Sequence, residues 1–216
     1  MGIYNFPSNF VYWEKVEDHE DIKKMFLDQI KSIGNNTKDN KQGIVNGSTS
    51  YGIEDYTLLN LLKNYEGIAN KVVWKPINEA IRQLNSNRSG NPITIKNSLI
   101  FDTWFSEYKE GGFFEYHIHN NSYRPIYKNG KLYTPSFSLI YILRDEDQPN
   151  TTCFRNPFSM YVSTEDNFES EFDTRYESEI KEGTVLVFPA TLYHNVREIQ
   201  TPNRITVAIN VYSCHS

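Results

Sequence analysis

Two histidines stand one residue apart in the stretch EYHIHNN, residues 115–121, of a chain that contains five histidines. Residues two apart in a β-strand point to the same face, so His117 and His119 would project together. Imidazole is a good ligand for divalent first-row metals, and the pair could supply two ligands of one ion. Two ordinary polar strand residues are the plainer alternative, so the motif needs further ligands to support a metal site.

A third histidine, His194, lies far along the chain in VFPATLYHNVRE, after the apolar run TVLVF and a turn that contains a proline. Three neutral imidazoles can hold a divalent metal on one face and leave the opposite positions open for a bidentate organic ligand and O2. Taken alone, His194 could equally be a hydrogen-bonded loop histidine.

An arginine follows ten residues after His194, in the segment NRITVAINVY. Strand alternation there puts Arg204, Thr206 and Ala208 on one face and apolar residues on the other. An inward arginine offers a fixed, permanently charged fork for a carboxylate, whereas a surface arginine would pair with an exposed acid. The order and spacing of the histidines and the arginine together favour a metal centre with a carboxylate site beside it.

The first part of the chain predicts helices that would support such a site. HEDIKKMFLDQIKSIG, residues 19–34, predicts an amphipathic helix ending at Gly34. Its apolar stripe consists of Ile22, Met25, Phe26, Ile30 and Ile33. We expect a polar, glycine-punctuated loop over 35–52, then helical segments over 55–73 and 76–86, the last with Pro76 in its first turn.

From Ile93 onward, short β-branched and aromatic runs are broken by Gly, Pro and Asn, which predicts consecutive strands. Such strands without intervening helices favour an antiparallel sandwich or barrel with the helices packed outside. We therefore expect a mainly β protein with N-terminal helices. Residues 1–216 should form one domain, with helical support over 1–95 and a β core over 96–216. The acidic segment 163–182 is expected to be a solvated loop.

Composition excludes several classes of function. The net charge is −5 and the basic residues are scattered, so nucleic acid is not an expected partner. No apolar run reaches membrane-spanning length and the first residues do not resemble a signal peptide, so we expect a soluble, cytoplasmic protein. Cys153 and Cys214 are too few for a disulfide scaffold. The sequence also lacks phosphate-loop, G-x-S-x-G and H-E-x-x-H motifs.

The site residues resemble those of the Fe(II)/2-oxoglutarate-dependent oxygenases, on their double-stranded β-helix (jelly-roll) fold, and within them the prolyl-hydroxylase-like branch. The resemblance covers roughly residues 97–212. In that family the site consists of an H-x-D/E motif, a distal histidine and an arginine about ten residues further on, in R-x-S/T form. Those places are taken here by His117 and His119, by His194, and by Arg204 with Thr206.

The resemblance implies Fe(II) on the three histidines and 2-oxoglutarate with its distal carboxylate on Arg204 and Thr206, with Tyr108 also reaching the cosubstrate. The stretch WFSEYKEGGFFEYHIH resembles the strand, glycine turn and strand that lead into the metal motif. The implied reaction converts 2-oxoglutarate and O2 to succinate and CO2 while a C–H bond is hydroxylated. The implied substrate is a peptidyl or amino-acid side chain, or a small molecule.

His119 departs from the family pattern, because Asp or Glu is usual at that place. Either His119 ligates as a neutral imidazole, which we expect, or two histidines hold the metal with water. Gly111, His117 and the stretch GTVLVFPATLYH, residues 183–194, also match the wider cupin pattern in part. A three-histidine thiol dioxygenase, which uses iron without 2-oxoglutarate, is therefore the enzymatic alternative, and a non-catalytic metal-binding cupin module is the other.

Three regions are the expected determinants of the substrate. They are the N-terminal region, the insertion over 120–136 and the acidic segment. The insertion contains Tyr123, Arg124, Tyr127 and Tyr133, which could contact a substrate or be ordinary loop residues.

Overall fold

A computed structural model describes residues 9–33, 38–39, 43–53, 56–86, 92–95, 97–119, 125–145, 152–157, 171–200 and 202–214. Four α-helices lie in the first part: α1 His19–Ile33, α2 Thr57–Asn64, α3 Glu66–Ala69 and α4 Lys75–Ser86. The predicted apolar stripe of α1 is confirmed, since Ile22, Phe26 and Ile33 are buried. Gly34, its predicted end, lies outside the described residues. The helices described here are all too short or too polar to cross a membrane.

A π-helical turn, Asn70–Trp74, joins α3 to α4, and the Lys75 N–H donates to the Asn70 carbonyl. The sequence explains this wider turn through Pro76, which lies in the first turn of α4 as predicted. Proline has no N–H to donate, and its ring crowds the carbonyl four residues earlier, so the helix widens there.

The strands are β1 Tyr12–Lys15, β2 Lys38–Asp39, β3 Ile44–Thr49, β4 Ser98–His117, β5 Ile126–Lys128, β6 Lys131–Arg144, β7 Thr152–Arg155, β8 Glu171–Asp173, β9 Thr184–Pro189, β10 His194–Val196 and β11 Arg204–Cys214. They pair antiparallel in one curled sheet, in the order β1-β9-β6-β11-β4-β10-β7-β8. Strand β3 pairs with β4 and β2 with β3, while β5 forms a hairpin with β6. The predicted mainly β fold with N-terminal helices is confirmed.

Strand β11 lies in the middle of this sheet, between β4 and β6. Its odd-numbered residues, such as Val207 and Ile209, join the large core cluster formed with the helices. Its even-numbered residues, from Arg204 to Asn210, are buried on the opposite face of the strand. The alternation of the sequence therefore turns apolar side chains toward the helices and polar ones toward the concave interior of the sheet.

The segment over 35–52 was expected to be a loop, but its described part contains β2 and β3. The misleading feature is Asn46-Gly47, which resembles turn residues. In the structure Asn46 takes a positive φ of 47° and the register shifts between Val45 and Gly47, so the pair forms a bulge within a strand. The strand continues on both sides of the bulge.

The acidic segment also differs from the prediction of a solvated loop. Within 171–182, β8 pairs with β7, and a 3-10 turn, Thr174–Tyr176, follows. Asp173 is buried in ion pairs with Arg175 and Arg197, which neutralise part of the acidic charge. Residues 163–170 of this segment lie outside the described residues, as do Tyr123 and Arg124 of the insertion.

Candidate metal centre

The structure brings the three predicted histidines together at one end of the sheet. His117 is the last residue of β4 and His194 the first of β10, and the two are direct antiparallel partners. His119 lies in the turn just beyond β4, not within the strand as expected. One nitrogen from each ring nonetheless falls in a group whose members all lie within 4.8 Å of one another.

Each imidazole has its Nδ1 atom against an oxygen. Nδ1 of His117 lies 2.8 Å from the Glu115 carbonyl, and that of His194 lies 3.0 Å from the Leu192 carbonyl. Nδ1 of His119 lies 3.1 Å from Oδ1 of Asn210. Carbonyl oxygens only accept hydrogen bonds, so each Nδ1 carries the hydrogen. All three Nε2 atoms are left as lone-pair donors, the tautomer that metal-binding histidines need.

The Nε2 atoms of His119 and His194 lie 3.2 Å apart. With both hydrogens on Nδ1, two lone pairs face each other across this gap, which is favourable only when a shared cation lies between them. Two imidazole nitrogens on one metal ion at right angles would be about 3 Å apart, given metal–nitrogen distances of about 2.1 Å. The observed separation therefore fits two ligands of one metal ion.

Aromatic side chains enclose the histidines. Trp104 packs 4.9 Å from His119, and Phe188 packs 4.8 Å from His194, between ring centroids. The ring of His117 stacks on Phe114 at 3.9 Å, although the residue as a whole is only half-buried. These rings place apolar surface around the histidine nitrogens.

Burial favours the neutral imidazoles that a metal requires. It lowers the pKa of His117 to about 4, against a small opposing effect of the hydrogen bond to Glu115. Burial also lowers the pKa of His119 and His194 well below the usual value, and the neighbouring histidines lower it further. At neutral pH burial therefore favours the neutral form of all three rings, each with one hydrogen and one lone pair on its nitrogens.

A second group of possible ligands consists of His19, Glu20 and Glu182. Its donor atoms are already engaged, because Lys23 forms an ion pair with Glu182, and Nδ1 of His19 lies 2.6 Å from the Tyr141 hydroxyl. This group is therefore a hydrogen-bonded cluster at the start of α1. His215, to which the sequence assigns no role, lies outside the described residues.

The predicted carboxylate site lies deeper in the sheet. Arg204 and Tyr108 are direct partners on β11 and β4, and both side chains are fully buried. The guanidinium carbon lies 5.9 Å from the Tyr108 ring centroid, and Nη2 donates to the Thr152 hydroxyl at 3.0 Å. Burial raises the pKa of Tyr108, with Arg204 and hydrogen bonds from Ser106 and Thr206 opposing the rise, so the phenol stays neutral.

The metal group and the arginine are connected through β7. Phe154 pairs with His194, and its ring lies 5.7 Å from the His194 ring, between centroids. Thr152, the partner of Arg204, is two residues earlier on the same strand face, a step of about 7 Å. The histidine group and the guanidinium therefore both contact the same short strand, β7.

The structure adds residues that the sequence analysis missed. Asn210 accepts hydrogen bonds from His119 and from Ser138, and Asp145 lies 3.6 Å from Nε of Arg204. Extending the alternation of Arg204 and Thr206 along β11 would have pointed to Asn210. Nothing in the sequence around Asp145 or Thr152 indicates that they lie beside Arg204, because both are far from Arg204 along the chain.

Comparisons with known proteins were made on both sequence and structure. No family model matches the sequence, and no curated protein matches it significantly. Solved structures do match. HygX from Streptomyces hygroscopicus, with nickel and 2-oxoglutarate bound, is 13% identical, with 94% of this chain and 83% of that chain covered and a TM-score of 0.58.

Two prolyl hydroxylases are also similar in structure. A prolyl-4-hydroxylase from Pseudomonas putida is 10% identical, with 96% of this chain and 94% of that chain covered and a TM-score of 0.50. A prolyl hydroxylase from Trichoplax adhaerens, in complex with a hypoxia inducible factor peptide fragment, is 12% identical, with 94% and 83% covered and a TM-score of 0.50. These similarities confirm the predicted double-stranded β-helix (jelly-roll) fold.

Proposed function

We propose that this protein is an Fe(II)- and 2-oxoglutarate-dependent dioxygenase that hydroxylates a C–H bond of a peptidyl, amino-acid or small-molecule substrate. The observation that carries the proposal is the arrangement of the histidines: three imidazoles with hydrogen-bonded Nδ1 atoms each bring one ring nitrogen into a group whose members lie within 4.8 Å of one another. Arg204, fully buried and connected to the histidine group through β7, supports 2-oxoglutarate as the ligand that completes the site. The fold, shared with HygX and two prolyl hydroxylases, is consistent with this reading.

Each side chain has a definite task in this proposal. His117, His119 and His194 would hold Fe(II) through Nε2, so the position of the usual carboxylate is filled by a neutral imidazole. The Arg204 guanidinium and the Thr206 hydroxyl would bind the distal carboxylate of the cosubstrate, with Tyr108 against it. Trp104, Phe154 and Phe188 exclude water from the reacting centre.

Bound iron and 2-oxoglutarate would supply O2 activation, with succinate and CO2 as coproducts and oxygen inserted into a substrate C–H bond. The protein keeps the imidazoles neutral and would fix the cosubstrate through its distal carboxylate. The three-histidine thiol dioxygenase uses no 2-oxoglutarate, so binding of that cosubstrate distinguishes the two enzymes. Structures of the similar proteins contain hygromycin B or a peptide, so this fold accepts chemically different substrates.

We also propose that the protein acts in the cytoplasm as a soluble enzyme. Cys153 and Cys214 are both free thiols, which suits a reducing compartment.

The test is an anaerobic titration of the metal-free protein with Fe(II) and then 2-oxoglutarate, followed by visible spectroscopy. We expect the metal-to-ligand charge-transfer band of chelated 2-oxoglutarate in the wild type and no band in His194→Ala. His19→Gln changes a buried histidine outside the metal group and should keep the band. Iron binding without a band would contradict the oxygenase proposal, and no iron binding would contradict the metal centre itself.

A further inference from the structure

Asp145 and Arg204 form a buried pair without hydrogen bonds between them. Asp145 follows directly after β6, and its side chain is 1% exposed, against 0% for Arg204. Oδ2 lies 3.6 Å from Nε, longer than a hydrogen bond. Among the residues that the structure describes, neither carboxylate oxygen of Asp145 accepts a hydrogen bond. A carboxylate kept in this way is poorly stabilised as an anion.

Among the described residues, the charged and titratable groups around Asp145 come from four elements. Arg204 of β11 is the cation that faces it within the described residues, with Tyr108 of β4 on the far side of the guanidinium. Glu182, in the turn before β9, accepts the backbone N–H of Asp145 at 2.9 Å through Oε2. On α1, Lys23 and His19 lie behind Glu182.

These surroundings keep Asp145 close to protonation. Burial raises the pKa of Asp145 to about 6, with Arg204 opposing the rise and Glu182 adding to it. Glu182 itself stays ionised, because hydrogen bonds from Lys23, from the Asp145 backbone and from His19 outweigh the effect of its burial and lower its pKa. At pH 7.5 and without ligand, the Asp145 carboxyl is therefore mostly ionised, and it is the anion beside the Arg204 guanidinium.

Resting on the proposed function, we infer that Asp145 takes up one proton from solvent when the distal carboxylate of 2-oxoglutarate binds Arg204. Without that proton, two carboxylates would share one guanidinium in a dry pocket and leave a net negative charge there. With the proton on Asp145, that carboxyl is neutral, and the positive charge of the guanidinium is neutralised by the negative charge of the cosubstrate carboxylate. The only covalent change is one new O–H bond on the Asp145 carboxyl, which can then donate a hydrogen bond to the cosubstrate.

This coupling makes cosubstrate affinity depend on pH with a definite sign. The complex holds one more proton than the free protein whenever Asp145 is ionised in the free state. Raising the pH therefore disfavours binding, and the Kd for 2-oxoglutarate should rise about tenfold per pH unit above pH 7. Below about pH 6 the free protein already carries the proton, so the dependence should level off.

Anaerobic calorimetry of the Fe(II)-loaded protein with 2-oxoglutarate tests the inference. Titrations at pH 6.5, 7.5 and 8.5, each in two buffers of different ionisation enthalpy, give both the Kd and the number of protons taken up. We expect about one proton at pH 7.5 in the wild type and close to none in Asp145→Asn. Asp145→Asn should also bind 2-oxoglutarate more tightly than the wild type at pH 8.5. Glu182→Gln, which alters the neighbouring carboxylate, should keep the proton uptake.

The outcomes separate the two proposals. If the charge-transfer band forms but no proton is taken up, the role of Asp145 is wrong and the proposed function stands. If the iron-loaded wild type does not bind 2-oxoglutarate, the proposed function is wrong and this inference falls with it. If Asp145→Asn keeps the pH dependence of the wild type, another group takes the proton. If Asp145→Asn does not fold, the number of protons that the wild type takes up on binding 2-oxoglutarate still tests the inference, since a count of zero contradicts it.

Discussion

At the scale of single residues, the orientation of the three clustered histidine rings depends on the acceptors that hold their Nδ1 atoms. Backbone carbonyls hold His117 and His194, so side-chain substitutions cannot remove those acceptors. His119 depends instead on the side chain of Asn210, which Ser138 fixes in turn through a hydrogen bond at 2.9 Å. Asn210 is thus the position where a substitution outside the ligands can loosen the site.

We predict that Asn210→Ala weakens metal affinity by about 10-fold to 100-fold, since His119 loses the acceptor that fixes its tautomer and ring orientation. Anaerobic Fe(II) titration measures the change. The matched control is Ser138→Ala, which removes the hydroxyl behind Asn210 but leaves the amide in place. That variant should bind iron within a few-fold of the wild type. Unchanged affinity in Asn210→Ala would mean that His119 is not a ligand.

At the scale of elements, β3 packs against β4 beside the proposed cosubstrate site, where Gly47 pairs with Tyr108. An added Cβ at Gly47 would lie 2.6 Å from the Glu107 carbonyl oxygen and 2.8 Å from Cγ2 of Ile44. One of these neighbours is backbone, so the crowding can be relieved only by moving β3 away from β4. Within the part of the chain that the structure describes, an added Cβ at Gly67, in α3, meets no atom within 4 Å beyond its chain neighbours and the backbone of its own helix.

We predict opposite effects of the same substitution at these two glycines. Gly47→Ala should lower the free energy of unfolding by about 1–3 kcal/mol, because overpacking displaces a strand. Gly67→Ala should raise it by roughly 0.5–1 kcal/mol, because alanine loses less backbone entropy in a helix. Urea unfolding followed by circular dichroism measures both. Equal stability of Gly47→Ala and the wild type would show that β3 does not dock closely on β4.

The same elements show how far the sequence predicts the structure. Strand periodicity places Arg204 and Thr206 on the buried polar face, because that alternation is a local pattern. His194 lies 75 residues beyond His119, so the three histidines are linked by the order and spacing of the motif and by its resemblance to the oxygenase family, not by local pattern. Asn46-Gly47 predicts a loop but forms a bulge, since these residue types are shared by turns and bulges. Asp145 could not be found, because its role comes from contact with a strand about sixty residues away along the chain.

At the scale of the whole molecule, the helices and the site lie on opposite sides of the same strands. Apolar residues of β11 share a core cluster with residues of α1, α2 and α4. On the other face of the strand, Asn210 accepts from His119 and Arg204 donates to Thr152. Ligands would connect β4, β10 and β11 from the concave side. Binding of a ligand to the folded state alone should therefore stabilise helices and sheet together.

We predict two separate increments in thermal stability, one from Fe(II) and one from 2-oxoglutarate. Cosubstrate at 100 times its Kd adds about 2.7 kcal/mol, which for a chain of this size raises Tm by about 5–10 °C. His194→Ala should lose both increments. Arg204→Met, combined with Asp145→Asn so that no buried carboxylate is left without its cation, should keep the increment from iron and lose that from the cosubstrate.

Arg144→Met is the matched control for the thermal experiment, because Arg144 neighbours Asp145 in sequence but bonds to Glu107 and to the Asn203 carbonyl, away from the site. It should keep both increments. Anaerobic differential scanning calorimetry would also test the expectation of one domain over residues 1–216. A single unfolding transition whose Tm rises on ligand binding agrees with a single core shared by helices and sheet. Two transitions, of which only one responds to ligand, would mean that the helical part unfolds independently of the sheet that carries the site.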